Sequence, residues 1–262
     1  MFEITRYDGR RRIGGTIALT LLLGLFAALV IWLFPFIAEA SADIDAYIQS
    51  LPESFREGFG AESYGTIEGF LAGELYQFIW VLLLGLYMAY SAAGALAGDI
   101  ESGRLYLVLA TSRSRVGVAA EKFLSLGVPI VTLNLVIPLF VFAATLAIDY
   151  PVDPVYLGAV HLLSIPYLLV CAGIGLLLSV LVSRGDIAQR AAIAFVFLLF
   201  LLESVTASTD YDWLGLLSPT HYFDPTEILV DETLDLAGSV VLLAAASVLV
   251  VVALGVFRTR DL

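Results

Sequence analysis

The sequence predicts an all-α, polytopic membrane protein with six transmembrane helices and both termini on the cytoplasmic side. Three observations carry this. Aliphatic and aromatic residues make up 60% of the 262 residues and charged residues only 15%, and the charges gather between apolar runs. Several runs exceed the about 20 helical residues needed to cross a hydrocarbon core of roughly 30 Å. All but one of the 13 basic residues fall in segments that strict alternation puts on a single side; the exception is Arg56. Strands of a transmembrane barrel would read as short alternating segments, and these runs are too long and continuous for that.

The elements follow in chain order. Residues 1–12, MFEITRYDGRRR, predict a cytoplasmic interfacial helix, with Phe2, Ile4 and Tyr7 toward lipid and the arginines near phosphate head groups. The first span is 14–38. Its length, with no small-residue cleavage site after it, marks an anchor rather than a cleaved signal. An outer loop, 39–74, predicts a short amphipathic helix around Leu51–Glu57. The second span is 75–97 and the third 123–148, separated by a polar insert at 98–122 that is far longer than a simple turn requires. Spans four, five and six are 156–182, 187–202 and 237–257. The last outer loop, 203–236, holds Trp213, Leu214, Leu216, Leu217, Tyr222 and Phe223, too apolar for a solvated linker, and predicts a re-entrant hairpin. Pro129, Pro138 and Pro166 predict bends. No internal repeat is visible, so residues 1–262 read as a single membrane domain.

The arginines at 6, 10, 11 and 12, those at 104, 113 and 115 with Lys122, then 184 and 190, and finally 258 and 260 set the orientation by the positive-inside rule. Most acidic residues lie in the opposite loops, an exterior suited to hydration in high salt. The expected location is the cell membrane, and the expected contact surface is a bilayer rather than nucleic acid.

Catalytic signals are missing. The two histidines, His161 and His221, stand in different segments, and no HExxH or metal-ligand spacing occurs. His161 reads as an interfacial side chain. Cys171 is alone within span four, so no disulfide framework exists. A phosphate-binding loop needs GxxxxGK[ST], whereas the only lysine, Lys122, sits in AAEKFLS. Any ATP hydrolysis must therefore come from another polypeptide.

In the insert, Ile100, Leu105, Leu107, Val108 and Leu109 predict one apolar face of a short helix along the membrane surface. Asp99 and Glu101 are expected in its first turn, where the helix dipole favours negative charge, and Arg113 and Arg115 beyond its end. Within the spans, Gln77, Tyr87, Tyr90 and Ser91, then Thr132 and Asn134, are polar or aromatic interruptions that suit a translocation path. Tyr76 and Trp80 read as an interfacial aromatic belt. Gly94 and Gly98 form a GxxxG that permits close helix approach.

The order Glu101, Gly103, Leu105, Leu107–Leu109, Thr111, Ser112, Arg113, Arg115, Lys122 resembles the first cytoplasmic loop of ABC-2 type ABC transporter permeases. Ser112 stands where that family often has proline. Leu217-Ser218-Pro219 with Tyr222 is similar to the family's "SP..Y" signature, and the ending Phe257–Leu262 to its "F.RRDL" terminus. The resemblance spans the whole chain. It implies a permease subunit, an exporter, whose insert docks as a coupling helix on a separate ATPase subunit that binds the ATP and Mg, with no cofactor in this chain. By position, Glu101, Arg104, Arg113 and Arg115 would be the contacts, with Asp99 beside them. Two permeases, as a homodimer or a heterodimer, would pair around the path. The alternative is a non-transporting six-span accessory or assembly protein that binds a soluble partner through the same loop. A membrane-embedded hydrolase would need His161 or His221.

Overall fold

The computed structural model describes residues 2–39, 65–110, 113–207 and 209–260. These residues form nine α-helices and two 3₁₀ turns, with no strand among them. They are α1 (Glu3–Glu39), α2 (Ile67–Glu101), α3 (Arg104–Leu109), α4 (Arg115–Leu124), α5 (Gly127–Ala147), α6 (Pro154–Leu181), α7 (Gly185–Thr206), α8 (Pro225–Leu229) and α9 (Leu236–Thr259). Six units are long and apolar enough to cross a membrane: α1, α2, α4 with α5, α6, α7 and α9.

The bundle is organised around α2 and α6, the two most buried spans. α6 packs between α2 and α9, and α7 lies along α2. Small side chains make this possible. Ala89, Ala92, Ala93 and Ala97 of α2 are wholly buried, and Gly175 of α6 faces them so closely that an added Cβ would lie 2.9 Å from the Ala89 carbonyl carbon. The GxxxG of α2 is used for close approach too, Gly98 lying against Gly185 of α7. α1 packs on the rim through α5, and its outer face, with Leu21 and Leu25 exposed, is left for lipid.

Several boundaries differ from the sequence expectation. Residues 3–12 are not a separate interfacial helix but the first turns of α1, because nothing between Arg12 and Gly14 breaks the helix. Phe2 and Tyr7 are exposed, while Ile4 packs against the small apolar cluster formed by Leu96, Leu105, Val118 and Phe257. α2 starts at Ile67, where Thr66 caps it by accepting from the Gly69 amide at 3.2 Å. From Ala72 to Leu84 it winds with the wider i→i+5 turn. Span three begins in the insert as α4, breaks at Ser125–Leu126 and resumes as α5. Pro129 falls in the first turn of α5, where its missing N–H leaves no gap. Pro138 and Pro166 lie inside α5 and α6.

Between α7 and α9, residues 212–217 and 219–222 form the two 3₁₀ turns and α8 follows. This segment packs across the ends of α2, α6 and α7, burying Phe223, Ile228 and Leu229 and leaving Trp213, Leu216 and Leu217 exposed. The amphipathic helix expected near Leu51–Glu57 lies outside the described residues.

Candidate functional site

One end of the bundle gathers the start of α1, the end of α2, all of α3 and α4, the α6–α7 turn and the end of α9. It carries the arginines and the polar insert. α2 ends at Glu101, so Asp99 and Glu101 close the second span instead of opening the surface helix. Gly103, at φ 73°, then makes the left-handed turn that lets α3 leave at an angle. Leu105 anchors α3 by inserting, wholly buried, into the apolar cluster below. The opposite face points away from the bundle: Tyr106 is 50% and Leu107 75% exposed.

The charges of the insert pair within the protein, with Glu101 and Arg104 still exposed to solvent. An acid in the last turn of a helix is unfavourable beside the negative dipole end, and Asp99 is offset by Arg104 at 2.8 Å and Lys122 at 2.6 Å. Lys122, buried, also meets Asp8 of α1 at 3.1 Å. Glu101 accepts from the Gly185 amide at the start of α7 at 2.8 Å. Arg113 pairs with Glu121 at 2.9 Å and with Glu3. Arg115 donates to the Arg260 carbonyl, and Arg260 donates in turn to the Val180 carbonyl and Ser183 Oγ, both at 2.6 Å. Glu121 is the hub. Its carboxylate accepts from the Ile4 and Thr5 amides at 2.9 and 3.2 Å, so it caps the first turn of α1 from a different helix. Of the five insert residues singled out from sequence, Arg104, Glu101 and Asp99 line the α2–α3 junction, while Arg113 and Arg115 tie the insert to α1 and to the end of α9.

The path candidates separate into two places. Tyr90 and Ser91 border a cavity at the arginine-rich end, where Ser91 Oγ accepts from Arg12 Nη1 at 2.7 Å. Tyr87 is partly buried one turn away. Some fourteen residues along α2, about 20 Å at helical rise, Asn134 belongs to a polar network inside the bundle. Its Nδ2 donates to the Ile130 carbonyl at 2.9 Å, which turns its Oδ1 toward His161 Nδ1 at 3.3 Å and Ser164 Oγ at 2.9 Å. Because Oδ1 can only accept, His161 carries its proton on Nδ1, and Tyr76 Oη donates to Nε2 at 3.0 Å. Trp80 Nε1 donates to Ser164 Oγ at 3.0 Å. Tyr76, Trp80 and His161 are therefore not interfacial side chains: all three are buried, and their rings pack edge to face on His161. The wide turns of α2 carry Tyr76 and Trp80, placing both against α6. Gln77 is buried on the same stretch, and Thr132 is partly buried outside the network.

Sequence reasoning gave no role to Glu121 or Tyr106 and read Arg12 only as one of the arginines near lipid phosphate. It put Leu107 on one apolar face with Leu105, whereas Leu105 is buried and Leu107 points outward. A usable signal existed for the last: Gly103 separates Leu105 from the apolar face of α2, so a single buried leucine suffices to seat the helix.

The described residues thus form six helices long and apolar enough to cross a membrane, with a short helix standing beyond one end. Residues 15–258 match the family described as the multidrug efflux system permease Rv1217c, C-terminal domain, and the chain belongs to that family. It is a multi-pass protein of the plasma membrane. No curated protein matches the chain.

Proposed function

We propose that this chain is the permease subunit of an ABC-2 type ATP-binding cassette exporter that moves apolar or amphipathic compounds, with its arginine-rich end in the cytoplasm and ATP hydrolysed by a separate subunit. The observation that carries the reading is α3: six residues, fixed by Gly103 and Leu105, whose outward face is Tyr106 and Leu107. A docking helix needs a rigid seat and an exposed apolar contact, and α3 has both.

The coupling contacts are accordingly Tyr106, Leu107 and Arg104, with Glu101 at the edge. Arg113, Arg115 and Asp99 transmit: a push on α3 reaches α1 through Lys122 and Asp8, and through Arg113, Glu121 and the first-turn amides. ATP and Mg²⁺ belong to the partner, since the phosphate-loop pattern has no counterpart in this sequence. Two permeases, either copies of this chain or this chain with a second one, would enclose the path. The inward-facing polar network around His161 holds each protomer's α2, α5 and α6 together as they tilt.

The test is affinity purification from native membranes in mild detergent with Leu107→Asp beside the wild type. Co-purification of one P-loop ATPase with the wild type and its loss in the variant, with unchanged membrane insertion, is the expected result. An ATPase that persists with Leu107→Asp overturns the docking role of α3, and no ATPase with either protein favours the accessory reading.

A further inference from the structure

Two cations sink into the arginine-rich end, and they are treated differently. Lys122 sits between the carboxylates of Asp8 and Asp99. Arg12 has no carboxylate within ion-pair distance among the described residues. Its Nε donates to Ser125 Oγ at 3.1 Å and its Nη1 to Ser91 Oγ at 2.7 Å. Neutral hydroxyls orient a guanidinium, but they do not balance its charge, and three of its five N–H groups remain for another acceptor.

Those groups open on a cavity of about 700 Å³ between α1, α2 and α3, within the size range of small-molecule sites. Three carboxylates line it, and each is already engaged: Glu3 by Arg113, Asp8 by Lys122, Asp99 by Lys122 and Arg104. Across the lining, the four cations Arg11, Arg12, Arg104 and Lys122 face three carboxylates, which leaves one positive charge; Asp8 also acts on Arg12 through space while it pairs with Lys122. Arg12 stands two residues before the apolar run that starts at Gly14, the depth of lipid phosphates. Leu107 and Val108 add an apolar wall.

We propose that this cavity binds a phosphate-bearing anion, gripped by Arg12 with Arg11 at the mouth and an apolar portion along Val108. The phosphate belongs either to an anionic lipid of the leaflet at the arginine-rich end or to a free solute. Arginine forks match phosphate oxygens two at a time, and Ser91 and Ser125 hold the fork in place for that contact. An occupant would bridge α1 to α3, beside the link that Lys122 makes between α1 and α2. The proposal does not depend on an ATPase partner.

The test uses the purified full chain in uncharged detergent and follows thermal unfolding. The probes are dihexanoyl phosphatidylglycerol, dihexanoyl phosphatidylcholine, and sodium phosphate against sodium chloride at equal ionic strength. Wild type is expected to show a saturable rise in midpoint with phosphatidylglycerol and none with phosphatidylcholine. Arg12→Gln should weaken the response by roughly tenfold or more; Arg11→Gln should weaken it less. Arg10→Gln, exposed and outside the cavity, should leave it unchanged. A response to phosphatidylglycerol alone assigns the site to lipid, and an equal response to inorganic phosphate assigns it to a solute. The proposal is overturned by no response to either phosphate probe, or by equal responses in wild type and Arg12→Gln. Should Arg12→Gln not fold, an unchanged response in Arg11→Gln overturns it.

Discussion

Replacing Glu121 by alanine should loosen the start of α1 far more than replacing Glu3, although both carboxylates pair with the same arginine. Glu121 is 10% exposed at its side chain, Glu3 80%. Besides Arg113, Glu121 holds the Ile4 and Thr5 amides, which as first-turn donors have no partner within α1. A hydrogen bond involving a charged group is worth about 1.5–3 kcal/mol, and breaking a buried pair costs about 3–5 kcal/mol. Water can reach the freed amides, and Arg113 keeps Glu3, so the net loss should be about 2–3 kcal/mol, or a fall of about 5–10 °C in the melting midpoint. Glu3→Ala, an exposed pair, should cost less than about 1 kcal/mol. Thermal unfolding of both variants in detergent measures the difference, and tryptic cleavage after Arg6 reports fraying at the first turns. Equal losses for Glu121→Ala and Glu3→Ala, or no faster cleavage in Glu121→Ala, would refute the idea that α4 caps α1.

Gly175→Ala forces a methyl group against the Ala89 carbonyl and Ala92, so it should destabilise the protein by about 1–3 kcal/mol in thermal melts; Gly255→Ala, with nothing within 4 Å, should be silent. Asn134→Ala removes the acceptor shared by His161 and Ser164 and should cost about 1 kcal/mol in the same assay, while Thr132→Ala should cost little. In the segment after α7, desolvation raises the carboxyls of Asp224 and Glu227 above their ordinary range, and neighbouring acids such as Asp231 add to it. A raised carboxyl contributes stability below its unfolded pKa and loses it as pH rises through the folded value. Proteolysis of residues 209–235 should therefore slow as pH falls from neutral toward the carboxylate range, and Asp224→Asn with Glu227→Gln should flatten that dependence while keeping the amide cap on Thr226.

Hydropathy placed the six spans because lipid demands long apolar helices, and the structure agrees on their number and approximate position. It failed wherever a polar side chain is satisfied by a distant partner. Residues 3–12 look like a surface helix because Glu3, Asp8 and Arg12 are charged, yet Arg113, Lys122, Ser91 and Ser125 receive them and the helix runs on. Asp99 and Glu101 look like the acidic first turn of a helix only until Gly103 is seen to turn left-handed after them. His161, Tyr76 and Trp80 resemble interfacial residues because each carries one polar group, and only the fold shows that those groups bond one another inside the bundle. The insert was legible as a polar element too long for a simple turn, but the sequence did not show that its apolar Tyr106 and Leu107 point away from the bundle.

The most direct test places a photo-crosslinker on a cysteine at position 107, in the Leu107→Cys chain with Cys171→Ser, and irradiates native membranes. A docked α3 predicts an adduct with a P-loop ATPase subunit, absent when the same probe replaces lipid-facing Leu25. Crosslinks to lipid alone, or to no ATPase at any time of irradiation, would contradict α3 as the element that couples this permease to its motor.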